Sequence, residues 1–192
     1  DYRTLILADP ARMRDDGHLS AMGERLQALA ARHAVRGAIV DLGLDPRVVF
    51  FHAQADGKLD CPTAKNLVAA EIKRVVDDWR AANPSLEHVV LVGGDAVIPF
   101  FRYPDQALLG PERTYVPPVR AASASQASLR LNYVLGQDAY GARCELPRGA
   151  TRLPLPGLAV GRLVEEPAEV AGMIEAYLDT AGGVVPAPSA AL

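Results

Sequence analysis

Two five-residue runs with almost no polar break, Thr4–Ala8 and His88–Val92, each end abruptly in turn residues, Asp9-Pro10 and Gly93-Gly94-Asp95. A strand with one wet face alternates apolar and polar side chains, so a run that is apolar throughout belongs to a strand covered on both faces. The segments that follow have helical periodicity instead. Leu19, Met22, Leu26, Leu29 and Ala30 predict an amphipathic helix over about 19–34. Leu67, Val68, Ile72, Val75, Val76 and Trp79 make one stripe of a helix over about 62–82, with Lys65, Glu71, Lys73, Arg74 and Asp78 mostly off it. Pro62 suits its first turn and Asn83-Pro84 stops it. A last helix over 167–180 gathers Val170, Met173, Ile174, Tyr177 and Leu178 on one face. Doubly covered strands alternating with such helices predict an α/β fold, a mostly parallel sheet with helices on both faces in a three-layer sandwich.

Other segments punctuate this pattern. Ala38-Ile39-Val40 and Val48-Val49-Phe50-Phe51 are two further apolar runs, strand-like and parted by turn chemistry at Gly43 and Asp45-Pro46. From about 102 to 131 no period survives and Pro, Ser, Ala and Gln dominate, which predicts a long surface loop of a kind that often carries function. Order returns at Tyr133-Val134-Leu135, and a proline-punctuated apolar stretch over Leu153–Val160 closes at Gly161-Arg162. Residues 1–183 read as a single domain. Residues 184–192, with Val185-Pro186-Ala187-Pro188-Ser189, have linker composition.

The chain has 192 residues, enough to bury about two-thirds of its unfolded surface, so neither disulfides nor a structural metal are needed to hold it together. Its 20 Lys and Arg against 23 Asp and Glu give a formal net charge of −3, which excludes the basic footprint of non-specific nucleic-acid binding. No run approaches the roughly 18 consecutive apolar residues of a membrane span, and the first residues lack the basic and apolar regions of a signal peptide. The chain opens on Asp1 without an initiator Met and reads as a piece of something longer. Cys61 and Cys144 lie in no CxxC or Cys/His cluster that would suggest zinc; a disulfide between them and two free thiols both stay open.

In a parallel sheet, function gathers at the carboxyl ends of the strands, which places Asp9 and Asp95 on one rim. Glycines at 93 and 94 permit positive φ and close approach, and Asp95 then either caps the turn or meets a cation. No GxGxxG and no Gly-Lys-Ser/Thr follows, so no dinucleotide or P-loop site is expected. An Asp9 and Asp95 pair would suit a hard divalent ion, magnesium or calcium, in a phosphohydrolase-like or receiver-like domain, but the third oxygen ligand and the lysine of such a site are not indicated. No cofactor motif is present. Cys144 stands beside Arg143, and Cys61 precedes a helix, yet neither has a histidine partner by motif, so neither reads as a nucleophile. Asp138-Ala139-Tyr140-Gly141 has the composition of a cleft loop or of a hairpin turn with a packed tyrosine, and Arg162 is placed to pair with a carboxylate across the rim.

In order, Thr4–Ala8, Leu91-Val92-Gly93-Gly94-Asp95-Ala96-Val97-Ile98-Pro99, Asp138-Ala139-Tyr140-Gly141 and Leu158-Ala159-Val160-Gly161-Arg162 resemble the gingipain-like cysteine peptidases, whose catalytic domain has a caspase-like fold. The resemblance covers about residues 4–180. It implies that the chain is the first, non-catalytic lobe of such a domain. The family's His-Gly and the cysteine that follows it would be supplied by a missing C-terminal catalytic lobe, the implied partner, acting on a peptide or protein substrate. No residue here matches that dyad, and a secreted or cell-surface location is implied by the resemblance alone. The alternative is a flavodoxin-like module that binds a ligand or docks a partner at the Gly93-Gly94-Asp95 rim, with 102–131 as its contact surface.

Overall fold

Thr4–Ala8 forms β1, and all five of its residues are buried. It can be so because it is flanked on both sides: Leu5 pairs in parallel with Ala38 of β2 (Gly37–Asp41) and with Val89 of β3 (His88–Val92). The computed structural model describes residues 1–114, 116, 119–148 and 151–180. Among them the main sheet has four parallel strands in the order β2-β1-β3-β8, where β8 is Ala159–Leu163. The chain moves one way from β1 to β2 and the other way from β2 to β3. Right-handed crossovers therefore put the intervening helices on opposite faces. On one face α1 (Leu19–Ala30) packs against α5 (Pro167–Leu178); on the other α2 (Pro46–Asp56) packs against α3 (Pro62–Ala82). The protein is a three-layer α/β sandwich. Leu5, Ile6 and Leu7 meet Met22 and Ile174 on one side and Val68, Ile72 and Val76 on the other within one continuous core.

Several local expectations need correction. Val48–Phe51 is no strand but the middle of α2. The side chain of Asp45 caps that helix by accepting from the Arg47 and Val48 amides at 2.9 and 3.1 Å, and Pro46 fills its first position. The turn chemistry at Asp45-Pro46 is thus a helix start. The stripe on α3 is also rotated: Lys65 and Glu71 are buried while Leu67 is half exposed. Glu71 tolerates burial because Arg47 and Arg74 both pair with it.

Residues 93–158 are a long excursion between β3 and β8. The region 102–131 is not one loop. It holds most of β4 (Phe101–Pro104), a single 3-10 turn at Glu112–Thr114 and α4 (Ala124–Arg130), and β4 pairs antiparallel with β5 (Tyr133–Gly136). A four-residue strand and a two-turn helix are too short to show a period. Leu153–Val160 divides between β7 (Thr151–Pro156), which makes a hairpin with β6 (Ala142–Arg148), and β8. The break is at Gly157 and Leu158, whose amides both donate to the Gly141 carbonyl. Among the described residues no helix is long and apolar enough to cross a membrane. The linker reading of 184–192 lies outside the described residues.

Candidate functional site at the carboxyl rim

β3 ends where Gly93 takes φ +100°, and a Cβ there would stand 2.9 Å from that of Val97, so the position requires glycine. The turn brings Asp95 over the end of the sheet, where its carboxylate is nearly fully used. Oδ1 accepts the Phe100 amide at 2.8 Å, and Oδ2 accepts Arg102 Nη2 at 2.6 Å and Ser125 Oγ at 2.7 Å. Three of about four acceptor positions are thus occupied. Burial pushes the Asp95 carboxyl up, but Arg102, Ser125 and the Phe100 amide outweigh it and hold the group below its ordinary value. Arg102 is 2% exposed and also donates to the Phe100 carbonyl and to Ser128 Oγ. Its main chain is tied to α3, since Asn66 accepts from its amide at 2.7 Å and donates to its carbonyl at 2.9 Å.

Arg162 pairs with no carboxylate among the described residues. Its Nη1 donates to the carbonyls of Gly93 and Ile98 at 2.8 and 2.9 Å, its Nε donates to Gln137 at 3.0 Å, and its guanidinium stacks 4.1 Å over the Phe100 ring. Tyr140 is fully buried; its hydroxyl donates to the Pro99 carbonyl at 2.6 Å, and its ring meets Phe101 edge-on. Asp138 opens the 3-10 turn that carries Tyr140 and is itself exposed. The strings at 93–99, 138–141 and 158–162, far apart in sequence, are therefore one clasp around residues 93–102.

Asp9 belongs to a different part of the rim. It is buried at the end of β1, Oδ1 has no partner, and a Cβ on Gly43 would approach that oxygen to 3.2 Å. Burial raises its carboxyl above the ordinary value; Arg12 opposes this and Asp41 adds to it. Asp9 and Asp95 share no partner, and among the described residues no three ligating side chains gather to hold a metal ion. A group whose folded-state pKa is raised contributes fully below its unfolded value and erodes stability as the pH climbs through the folded one. Asp9→Asn is therefore expected to raise the Tm at about pH 7 and to lose that advantage at about pH 3, as scanning calorimetry at both values would show.

Between β1 and β3, where the strand order reverses, parallel sheets usually open a ligand crevice. Here Arg12 spans it. The guanidinium donates to both oxygens of Asp56 at 3.0 and 2.7 Å and to the Ala96 carbonyl at 3.3 Å, which stitches the loop after β1 to the loop after β3. Beneath it Lys65, buried, lies 3.6 Å from Asp56, and His52 is buried on the inner face of α2 with neither ring nitrogen bonded. Cys61 precedes the first turn of α3 and Cys144 is exposed on β6; both are free thiols, and His52 bonds to neither. The rim is a hydrogen-bonded polar wall without a nucleophile and base pair among the described residues. Sequence reading missed Arg12, His52, Lys65 and Arg102 as its parts. One signal was present: Lys65, Val68 and Ile72 share helical spacing and hence a face. No family model matches the chain, and neither a curated protein nor a solved structure matches it.

Proposed function

We propose that this chain is the non-catalytic first lobe of a gingipain-like cysteine peptidase of caspase-like fold. The observation that carries the reading is the convergence of its resemblance-bearing strings: Gly93, Ile98 and Pro99 accept hydrogen bonds from Arg162 and Tyr140, so the ordered motifs form one structural unit at the carboxyl rim. In such a protein this wall would bound a cleft for a peptide substrate. A thiolate attacking the peptide carbonyl and an imidazole exchanging its proton would come from a second lobe, with Cys61 and Cys144 taking no part. β8 supports the docking half of the reading. Among the described residues no strand pairs with its outer edge, Ala159 and Gly161 are exposed, and such an edge offers main-chain groups for a sheet to continue.

The test is to express the whole reading frame that encodes this chain and treat it with a peptidyl acyloxymethyl ketone. Labelling at a cysteine that follows a His-Gly pair, and not at Cys61 or Cys144, is the expected result. A frame without that pair and a later cysteine, or one that takes no label, overturns the peptidase reading.

A further inference from the structure

A second concave surface lies away from the rim, between α3 and the β6–β7 hairpin. It encloses about 410 Å3, within the usual range of small-molecule sites, and its floor is apolar, with Phe101 from β4 beside Ala70, Ala139 and Ala142. Its walls are cationic: Lys73 on α3, Arg143 on β6 and Arg152 on β7. Lys73 pairs with Asp77, and Arg152 Nη1 stands 3.9 Å from Glu145 Oε2. Among the described residues no carboxylate pairs with Arg143.

Arg80 adds one more cation behind this wall. It lies two helical turns beyond Lys73 on the same side of α3 and is only 7% exposed. Nη2 donates to the Gly141 carbonyl at 2.6 Å, next to the Ala142 and Arg143 wall, but Nε and Nη1 are buried without a partner. Burial and then the Arg143 guanidinium act against its charge, while Asp77, already held by Lys73, acts for it. Buried donors left unpaired are costly, and a second like charge beside them adds to the cost unless an anion joins the pair. Four cations, Lys73, Arg80, Arg143 and Arg152, against two carboxylates, Asp77 and Glu145, leave an excess of two positive charges.

We infer that this groove binds a small organic dianion, a dicarboxylate whose apolar body rests on Phe101 and whose charges meet Arg143 and Arg152. The assignment does not depend on the peptidase reading, and the rim takes no part in it. Cys144 is exposed, lines the groove and serves as a reporter.

In the Cys61→Ala protein the Cys144 thiolate would attack the disulfide of 5,5′-dithiobis(2-nitrobenzoate). A mixed disulfide forms and one nitrothiobenzoate leaves, which absorbance follows. Uncharged dithiodipyridine serves as the control, because it reports thiolate content without the reagent's charge. The dianionic reagent is expected to react with saturating kinetics, and its rate relative to the neutral reagent is expected to fall about tenfold in an Arg143→Gln/Arg152→Gln double variant, the effect of about 1.4 kcal/mol. Phthalate, unreactive but of the same class, should slow the dianionic reagent in the parent and not in the double variant. A rate linear in reagent, a ratio unchanged by the double variant, or protection by inorganic phosphate equal to that by phthalate would each overturn the inference.

Discussion

Replacing Asp95 by alanine is expected to destabilise the protein by about 3–5 kcal/mol in urea unfolding, the range for removing one member of a buried ion pair. The size follows from what is left behind. Arg102 is almost wholly buried and an arginine does not shed its proton inside a protein, so its guanidinium would remain charged with only the Phe100 carbonyl and Ser128 to meet it. The Phe100 amide and the Ser125 hydroxyl would lose their acceptor as well. Asp95→Asn keeps the shape and an acceptor oxygen and should fall between the parent and the alanine variant. The pH dependence has a definite sign. A carboxyl held below its ordinary value stabilises the fold at every pH above its unfolded pKa, and that contribution is lost as the pH falls through the lower folded value. A double-mutant cycle with Arg102→Met would isolate the coupling. An unfolding midpoint that does not move in Asp95→Ala would show that the clasp does not hold the excursion to the sheet.

The same residue shows how far the sequence could be read. Gly93-Gly94-Asp95 announced a turn at a strand end, and the structure has that turn, but its meaning depends on Arg102 and Ser125, which lie in a stretch without period. Nothing local marks an arginine as buried when the strand that carries it, β4, has four residues and its partner β5 begins about thirty positions later. β1 and β3 were legible because five nearly unbroken apolar residues between turn signals suit a strand covered on both faces and are too few for a helix. With α2 the local signal pointed the wrong way. Val48–Phe51 is apolar and β-prone, and the capping aspartate with its following proline outweighed that propensity. Lys65 and His52 sit on inner helix faces that a hydrophobic stripe does not mark, because the stripe is found by looking for apolar residues. Polar side chains at the rim are the part of the site that periodicity cannot see.

His52 gives a second large effect, in a separate pH window. Burial, with Arg12 and Lys65 adding to it and Asp56 and the Val97 main chain opposing, pushes the imidazole down to about 4, so the folded protein keeps His52 neutral well below the point where an unfolded chain would protonate it. Between about pH 6.5 and pH 4 the unfolded state binds a proton that the folded state refuses, and stability falls by about 1.4 kcal/mol for each pH unit within that interval. The total is about 3 kcal/mol, reached before Asp95, whose carboxyl titrates lower, begins to contribute. The other histidines, His18, His33 and His88, are exposed, so His52 is the one whose surroundings folding changes most. In His52→Leu the loss over this window should vanish. Stability at about pH 7 should be unchanged or higher, because the substitution removes two buried nitrogens that bond to nothing. Urea unfolding at half-unit steps of pH measures both. A variant that loses stability as steeply as the parent would place the proton uptake elsewhere than His52, and a parent whose midpoint stays flat from about pH 6.5 to 4.5 would show that folding does not hold this imidazole neutral.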